Sequence, residues 1–354
     1  MKKKPIKLFK PFVSNWARWY TLQTLRGTQL AEGPRVKEFE RAFALYFKLE
    51  PSDCVALNSG TSALELAYEL ANIQEGDEVI TPVLTCTATN LPLVRRKAKI
   101  VFTDITDKLL LDPADVRKRI TTKTKAIVYV DFGGASGTLD EVLAIAAEHN
   151  LKVIQDSAQS VGPFFRPRAD FVCVSFQAIK TLTCGDGGML ICQDSLQARR
   201  ARQLRWYGYD REEKQRLGDT DLVEAGYKYH MNDIAASIGL GNLRCLHVIA
   251  SKRAVSAACY AQSGLPILVY PWLAILIHPK ALAIKAFLET IGVESGQYHY
   301  RNDKYTVFGG RRDDLPMMDK MENQYLLLPF HHDISMRDAS NILANINFYL
   351  WSNA

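Results

Sequence analysis

Lys180 and Asp156, twenty-four residues apart, are the two side chains whose types and spacing point most directly to chemistry. A lysine amine condenses with an aldehyde to a Schiff base, and a carboxylate holds a pyridine nitrogen protonated. Together these meet the two electronic requirements of pyridoxal phosphate (PLP) chemistry. Lys180 stands in Val-Ser-Phe-Gln-Ala-Ile-Lys-Thr-Leu-Thr-Cys-Gly-Asp-Gly-Gly (174–188), among apolar, small and glycine residues where an unpartnered ammonium is costly. Asp156 closes the apolar run in Val-Ile-Gln-Asp-Ser-Ala-Gln (153–159). Its carboxylate is expected at the crevice beyond the carboxyl end of a central strand, where open α/β sheets bind ligands.

Three further places fit the same chemistry. Asn58-Ser59-Gly60-Thr61-Ser62 lies between an expected strand and an expected helix. Glycine lets backbone approach a ligand closely, and a helix N-terminus offers free amides to an anion such as phosphate. Gln159 can donate to a ring oxygen, and Ser175 can give a hydroxyl to a phosphate. Each residue also has an ordinary role: Ser and Thr cap helices, Asp caps turns, and a lone lysine is usually a surface residue.

The elements that must position these groups follow from periodicity. From about 54 to 195, short apolar strands alternate with amphipathic helices, the mark of a parallel α/β sheet. Strands are expected at Val55–Leu57, Glu78–Thr81, Ile100–Thr103, Ala126–Tyr129, Lys152–Ile154, Phe171–Val174 and Met189–Ile191. Helices are expected at Thr61–Ala71, Thr85–Val94, Asp112–Ile120, Leu139–His149 and Ser195–Tyr207, the third with an Asp cap and a first-turn proline. Asp210–Asp221 reads as a polar loop, and Met231–Ile249 as one helix linking two halves. The rest mixes strands (Ile267–Tyr270, Leu273–Ile277, Tyr325–Leu328) with helices (Pro279–Ile291, Met336–Trp351), a smaller α+β domain. The expected division is 1–235 for a large α/β domain and 236–354 for the small one.

The chain has 354 residues, 47% hydrophobic and 23% charged, enough for two domains and a large core. The net charge of +6 is mild and its basic residues are dispersed without a reader motif, which argues against nucleic acid. Seven scattered cysteines without metal-type spacing suit a reducing, cytoplasmic compartment. No long apolar run follows the opening Met-Lys-Lys-Lys, so a signal peptide is not expected, and no run reaches the roughly 18 apolar residues of a membrane span.

The anion-binding helix start, the strand-end Asp, the strand-end Ser and the glycine-flanked Lys come in the order found in fold-type I PLP enzymes. The chain resembles the DegT/DnrJ/EryC1/StrS family of sugar aminotransferases over nearly its whole length. The similarity runs through Gly33-Pro34-Arg35-Val36-Lys37-Glu38-Phe39-Glu40, Asn58-Ser59-Gly60-Thr61, Gly76-Asp77-Glu78-Val79-Ile80-Thr81-Pro82, Ser175-Phe176 to Lys180, and Gly226-Tyr227-Lys228-Tyr229-His230-Met231-Asn232-Asp233. The resemblance implies a mainly parallel seven-stranded sheet sandwiched by helices. It implies that Lys180 forms the Schiff base, Asp156 pairs with the pyridine nitrogen, Gln159 contacts the ring hydroxyl, and Gly60, Thr61 and Ser175 hold the phosphate. It further implies a homodimer with sites at the interface, Lys228 reaching the phosphate from the partner subunit. His299-Tyr300-Arg301-Asn302-Asp303-Lys304-Tyr305 is similar to members acting on nucleotide-linked 4-keto-6-deoxy sugars, GDP-perosamine synthases among them. There Arg301 is expected to make paired bonds to a phosphate, with His299 and Tyr300 beside the sugar; a basic surface loop is the plain alternative.

Three departures stand out. Cys86 takes the place of the aromatic usually set over the cofactor ring, Lys228 replaces the usual Asn, and 161–171 is shorter than the hairpin common there. The expected reaction is a two-stage transfer from glutamate to a keto sugar nucleotide. Two alternatives are a sugar dehydratase of the same family, which carries His where Lys180 stands, and a non-catalytic PLP-fold protein.

Overall fold

Buried strand after buried strand, each followed by a capped helix, builds the framework seen in the computed structural model, which describes residues 5–353. Seven strands form one sheet in the spatial order Cys54–Leu57, Gly188–Cys192, Phe171–Ser175, Lys152–Asp156, Thr124–Val130, Glu78–Pro82, Lys99–Thr103. The last five pair in parallel, while Gly188–Cys192 runs antiparallel to both of its neighbours. Because helices cover both faces, nearly every residue of the inner strands is buried, which explains their continuous rather than alternating apolar pattern. One face packs on Phe39, Phe43 and Phe176, the other on Leu64, Leu66 and Tyr68.

The helices start where their caps are written. The Ser59 side chain accepts from the Ser62 amide, Asp112 from Ala114 ahead of Pro113, and Ser335 shares a capping box with Asp338. Beyond residue 246 a second sheet has the order Tyr325–Leu328, Ala274–Ile277, Ile267–Val269, all antiparallel, flanked by Leu246–Ala261, Ala281–Thr290 and Met336–Ser352.

Four elements differ from the sequence expectation. The helix expected from Thr85 starts at Thr87, because Leu84–Thr85 pairs as a short ribbon with Tyr300–Arg301. Ser195–Leu204 stops three residues short of Tyr207, which adopts φ 64° and donates its amide to the Tyr227 carbonyl. Asp210–Asp221 contains the helix Arg211–Leu217, capped by Asp210. Met231–Ile249 is two helices, Asp233–Leu243 and Leu246–Ala261, bent by 57°. The first packs on Asn15–Arg26 and Pro34–Phe47, so the expected division at 235/236 falls inside a helix of the large sheet's cover. Among the described residues no single helix is long and apolar enough to cross a membrane.

Candidate active site

The parallel strands bring their carboxyl ends to one edge, and a cavity of about 290 Å³ opens there. Asp156 and Ser175 are the last residues of adjacent strands, and Gly60 begins the helix that follows the first strand. All three line the cavity together with Lys180, Cys86 and Gln159.

Asp156 is buried, and two donors hold its carboxylate. Thr89 Oγ1 donates to Oδ2 at 2.8 Å, and the Ala158 amide donates to Oδ1 at 3.1 Å. Thr89 is in turn 2.9 Å from the Thr85 hydroxyl, and its carbonyl accepts from Tyr68 at 2.7 Å. Burial pushes the Asp156 carboxyl above its ordinary value, opposed by the Thr89 and Ala158 bonds and by the charge of Lys180. Among the described residues no cation lies within ion-pair distance of it. A buried carboxylate with two donors and no ion-pair partner suits a protonated ring nitrogen as its partner.

Lys180 rests with Nζ 4.2 Å from the Trp272 ring centroid and 5.8 Å from that of Tyr298. Burial pulls its ammonium down to about 8, the charges of Asp156 and Cys86 opposing. At about pH 7.5 this raises the free amine from roughly one molecule in a thousand to about one in four. Nucleophilic attack on an aldehyde needs that free amine.

The phosphate end fits as well. Within the described residues the amides of Gly60 and Thr61 donate to nothing, while the Ser59 hydroxyl already holds Ser62. A Cβ on Gly60 would sit 2.8 Å from the Ser175 Cβ, so only glycine lets the helix start come this close to the strand end. Ser175 Oγ accepts the Gln177 amide at 3.3 Å and keeps its own hydrogen for an anion. Free amides, a hydroxyl and a dipole converge on one corner, with the amine and the carboxylate farther in. The residues present therefore fit PLP.

Gln159 Oε1 accepts the Gly133 amide at 2.7 Å, and its Nε2 lies 2.6 Å from His299 Nε2. His299, buried, lines the same cavity as Tyr298. Cys86 caps the helix Thr87–Arg95 at the cavity wall, its thiol pushed up by burial.

The remaining residues singled out in the sequence lie elsewhere. Lys228 is exposed and outside the cavity; its carbonyl accepts from the Asn58 side chain at 3.2 Å. Tyr300 is 41% exposed on the ribbon opposite Thr85, with Lys304 Nζ 4.0 Å from its ring centroid. Arg301 is a correction. It is 1% exposed, its Nε and Nη2 each 2.6 Å from one Asp303 carboxylate oxygen, with Asp319 and Glu322 beside Nη1. Its fork is spent on carboxylates, so it is not free to take a phosphate. Thr89, Trp272 and Tyr298 were not singled out in the sequence. Their types are ordinary, and no local pattern marks a side chain that meets its partner only across the fold.

The family model of DegT/DnrJ/EryC1/StrS aminotransferases matches residues 18–347. The spore coat polysaccharide biosynthesis protein SpsC of Bacillus subtilis (strain 168) is 35% identical over 263 residues, covering 71% of this chain and 67% of that protein. Among solved structures, an aminotransferase TlmJ from Streptoalloteichus hindustanus superposes with a TM-score of 0.92 at 26% identity, covering 99% of this chain and 100% of the other. The sugar aminotransferase CalS13 from Micromonospora echinospora gives 0.89 at 27%, covering 97% and 99%. With the lysine, the buried carboxylate and the anion corner in one cleft, the chain belongs to the DegT/DnrJ/EryC1/StrS aminotransferase family, and its cofactor is pyridoxal phosphate.

Proposed function

We propose that the protein moves an amino group from glutamate to a nucleotide-linked 4-keto-6-deoxy sugar. The observation that carries this reading is the convergence of Lys180 and Asp156 on one cleft at the carboxyl edge of the sheet, in a chain of an aminotransferase family. When bound, PLP supplies a ring that withdraws electrons from the donor's α-carbon. With PLP bound, Asp156 would keep the ring nitrogen protonated, and Lys180 Nζ would carry the proton from the donor's α-carbon to the cofactor carbon that bears the amino nitrogen. The amides of Gly60 and Thr61 with the Ser175 hydroxyl hold the phosphate. Cys86, in the cavity wall, would give the ring less contact than an aromatic there.

A sugar acceptor is supported by the relatives, one a polysaccharide biosynthesis protein and another a sugar aminotransferase by name. The nucleotide, and the likeness to GDP-perosamine synthases, rest on the 299–305 segment, of which His299 lines the cavity and Tyr300 is exposed outside it. We further propose a homodimer in which Lys228 reaches the partner's cofactor phosphate. The exposed stripe Trp16, Trp19, Leu22, Leu25 on the first helix supports a second copy as its cover.

The test is direct. Lys180→Ala should abolish both the cofactor's visible band and turnover. Glutamate should convert the loaded protein to its amine form, and GDP-, dTDP- and UDP-linked keto sugars should be screened as acceptors. A Lys180→Ala variant with normal activity would overturn the assignment, and a protein inert toward glutamate would point to a non-catalytic role.

A further inference from the structure

One contact in the cleft joins a residue of the large sheet's edge to one of the C-terminal segment, 140 positions away: Gln159 to His299. Both side chains are buried, so each polar atom needs a partner there. Gln159 leaves no choice about its own orientation. The Gly133 amide, a donor, stands 2.7 Å from one end of the carboxamide, which must therefore be the oxygen. Gly133 holds that position in a tight turn at φ 66°, which favours glycine.

The other end of the carboxamide is the NH₂ group, and it lies 2.6 Å from His299 Nε2. Two donors cannot face one another, so His299 Nε2 carries no proton and its hydrogen sits on Nδ1. The surroundings agree. Burial, and then the charge of Lys180, push the imidazolium down to about 3, leaving the ring neutral. The backbone is fixed by the Tyr325 hydroxyl on the His299 carbonyl at 2.5 Å, and the ring packs between Phe132 and Tyr298.

An NH₂ group has two hydrogens, and His299 takes one. The second has no acceptor among the described residues, in a side chain that lines the cavity. We propose that His299 is a positioning residue: by accepting one amide hydrogen of Gln159 it aims the other at the hydroxyl oxygen of the bound cofactor ring. This rests on the reading of the cleft given above, with the ring hydroxyl on the Gln159 side. It makes the C-terminal segment, through one hydrogen bond, part of the machinery that tunes the ring.

The consequence is a shift that can be read optically. In the loaded protein one proton is shared between the Lys180 nitrogen and the ring oxygen, and the visible band follows its loss. A donor aimed at the oxygen favours the state with more negative charge there, which is the deprotonated one. Without it, the proton is held more tightly and the midpoint rises.

The experiment is a spectrophotometric pH titration of the PLP-loaded wild type, His299→Phe and His299→Gln. Phe keeps the shape and removes the acceptor; Gln returns an acceptor oxygen. The midpoint should rise by about one pH unit, a roughly tenfold change in the proton equilibrium, in His299→Phe and return toward wild type in His299→Gln. A His299→Phe protein with a full visible band and an unmoved midpoint overturns the proposal while leaving the cofactor site intact. A wild type that gains no visible band with PLP sinks the cleft reading and this proposal together. Because a core variant can fail to fold, the tautomer is measured in the loaded wild type by ¹⁵N-histidine NMR. A proton on Nδ1 alone supports the arrangement, and one on Nε2 refutes it.

Discussion

The Lys180 ammonium lies 4.2 Å from the centroid of the Trp272 ring, a side chain only 1% exposed. An aromatic face stabilises a cation by about 0.5–2 kcal/mol, so Trp272 partly offsets the burial that pulls Lys180 down to about 8. The rate at which the apoprotein takes up PLP should therefore rise with pH through a midpoint near 8, well below the ordinary lysine value of 10.5. Trp272→Leu should lower that midpoint by about one pH unit, with Trp272→Phe in between. Stopped-flow uptake across pH measures both; a midpoint near that of free lysine would exclude the buried amine.

Thr89 is the single side-chain donor to Asp156 among the described residues. Removing it in Thr89→Val leaves a buried carboxylate less stabilised, so Asp156 takes up a proton more readily and, once neutral, no longer holds the ring nitrogen in its charged form. A hydrogen bond to a charged group is worth about 1.5–3 kcal/mol, which sets the expected loss of kcat at roughly 10- to 100-fold. Thr89→Ser should keep most of the rate. Equal rates in the Val and wild-type proteins would mean that the bond has no part in turnover.

Arg301 should matter to folding. Its guanidinium is closed in by Asp303, Asp319 and Glu322, and removing one partner of a buried pair costs about 3–5 kcal/mol. Urea unfolding of Arg301→Met should show a loss of that size, with KM for the sugar substrate little changed. Full stability with a raised KM would restore the phosphate role expected from the sequence.

Asp131, buried just after the strand Thr124–Val130, accepts from the Gln155 side-chain amide at 2.9 Å and the Ser157 hydroxyl at 2.6 Å. Burial pushes its carboxyl up to about 6 from 3.8. The folded chain then binds this proton more tightly than the unfolded chain, so this group's contribution to stability falls as pH rises from about 4 to 6 and stays low above that. The span is on the order of 3 kcal/mol. In Asp131→Asn that contribution should be flat over the same window, which thermal or urea unfolding at several pH values will read.

The stripe Trp16, Trp19, Leu22, Leu25 places four large apolar side chains on water. Trp19→Glu should shift the protein from dimer to monomer in sedimentation, and activity should fall with it if Lys228 serves the partner's site. A wild type that sediments as a monomer removes this surface from consideration.

What the sequence by itself determined was local. The seven strands, the capped helix start at Asp112, and the succession of Gly60, Asp156, Ser175 and Lys180 all follow from neighbours in the chain. Periodicity and capping act over a few residues, and those residues are adjacent on the page. Tertiary structure decided who touches whom. Thr89 meets Asp156 across 67 positions and His299 meets Gln159 across 140, while Arg301, already forked by Asp303 two residues on, finds a further carboxylate, Asp319, on the helix Pro316–Met321. These contacts are set by strand order and by how the two sheets pack, neither of which any short stretch of sequence carries. Arg301 shows the difference: a phosphate fork and an internal ion cluster need the same residue type, and only burial tells them apart.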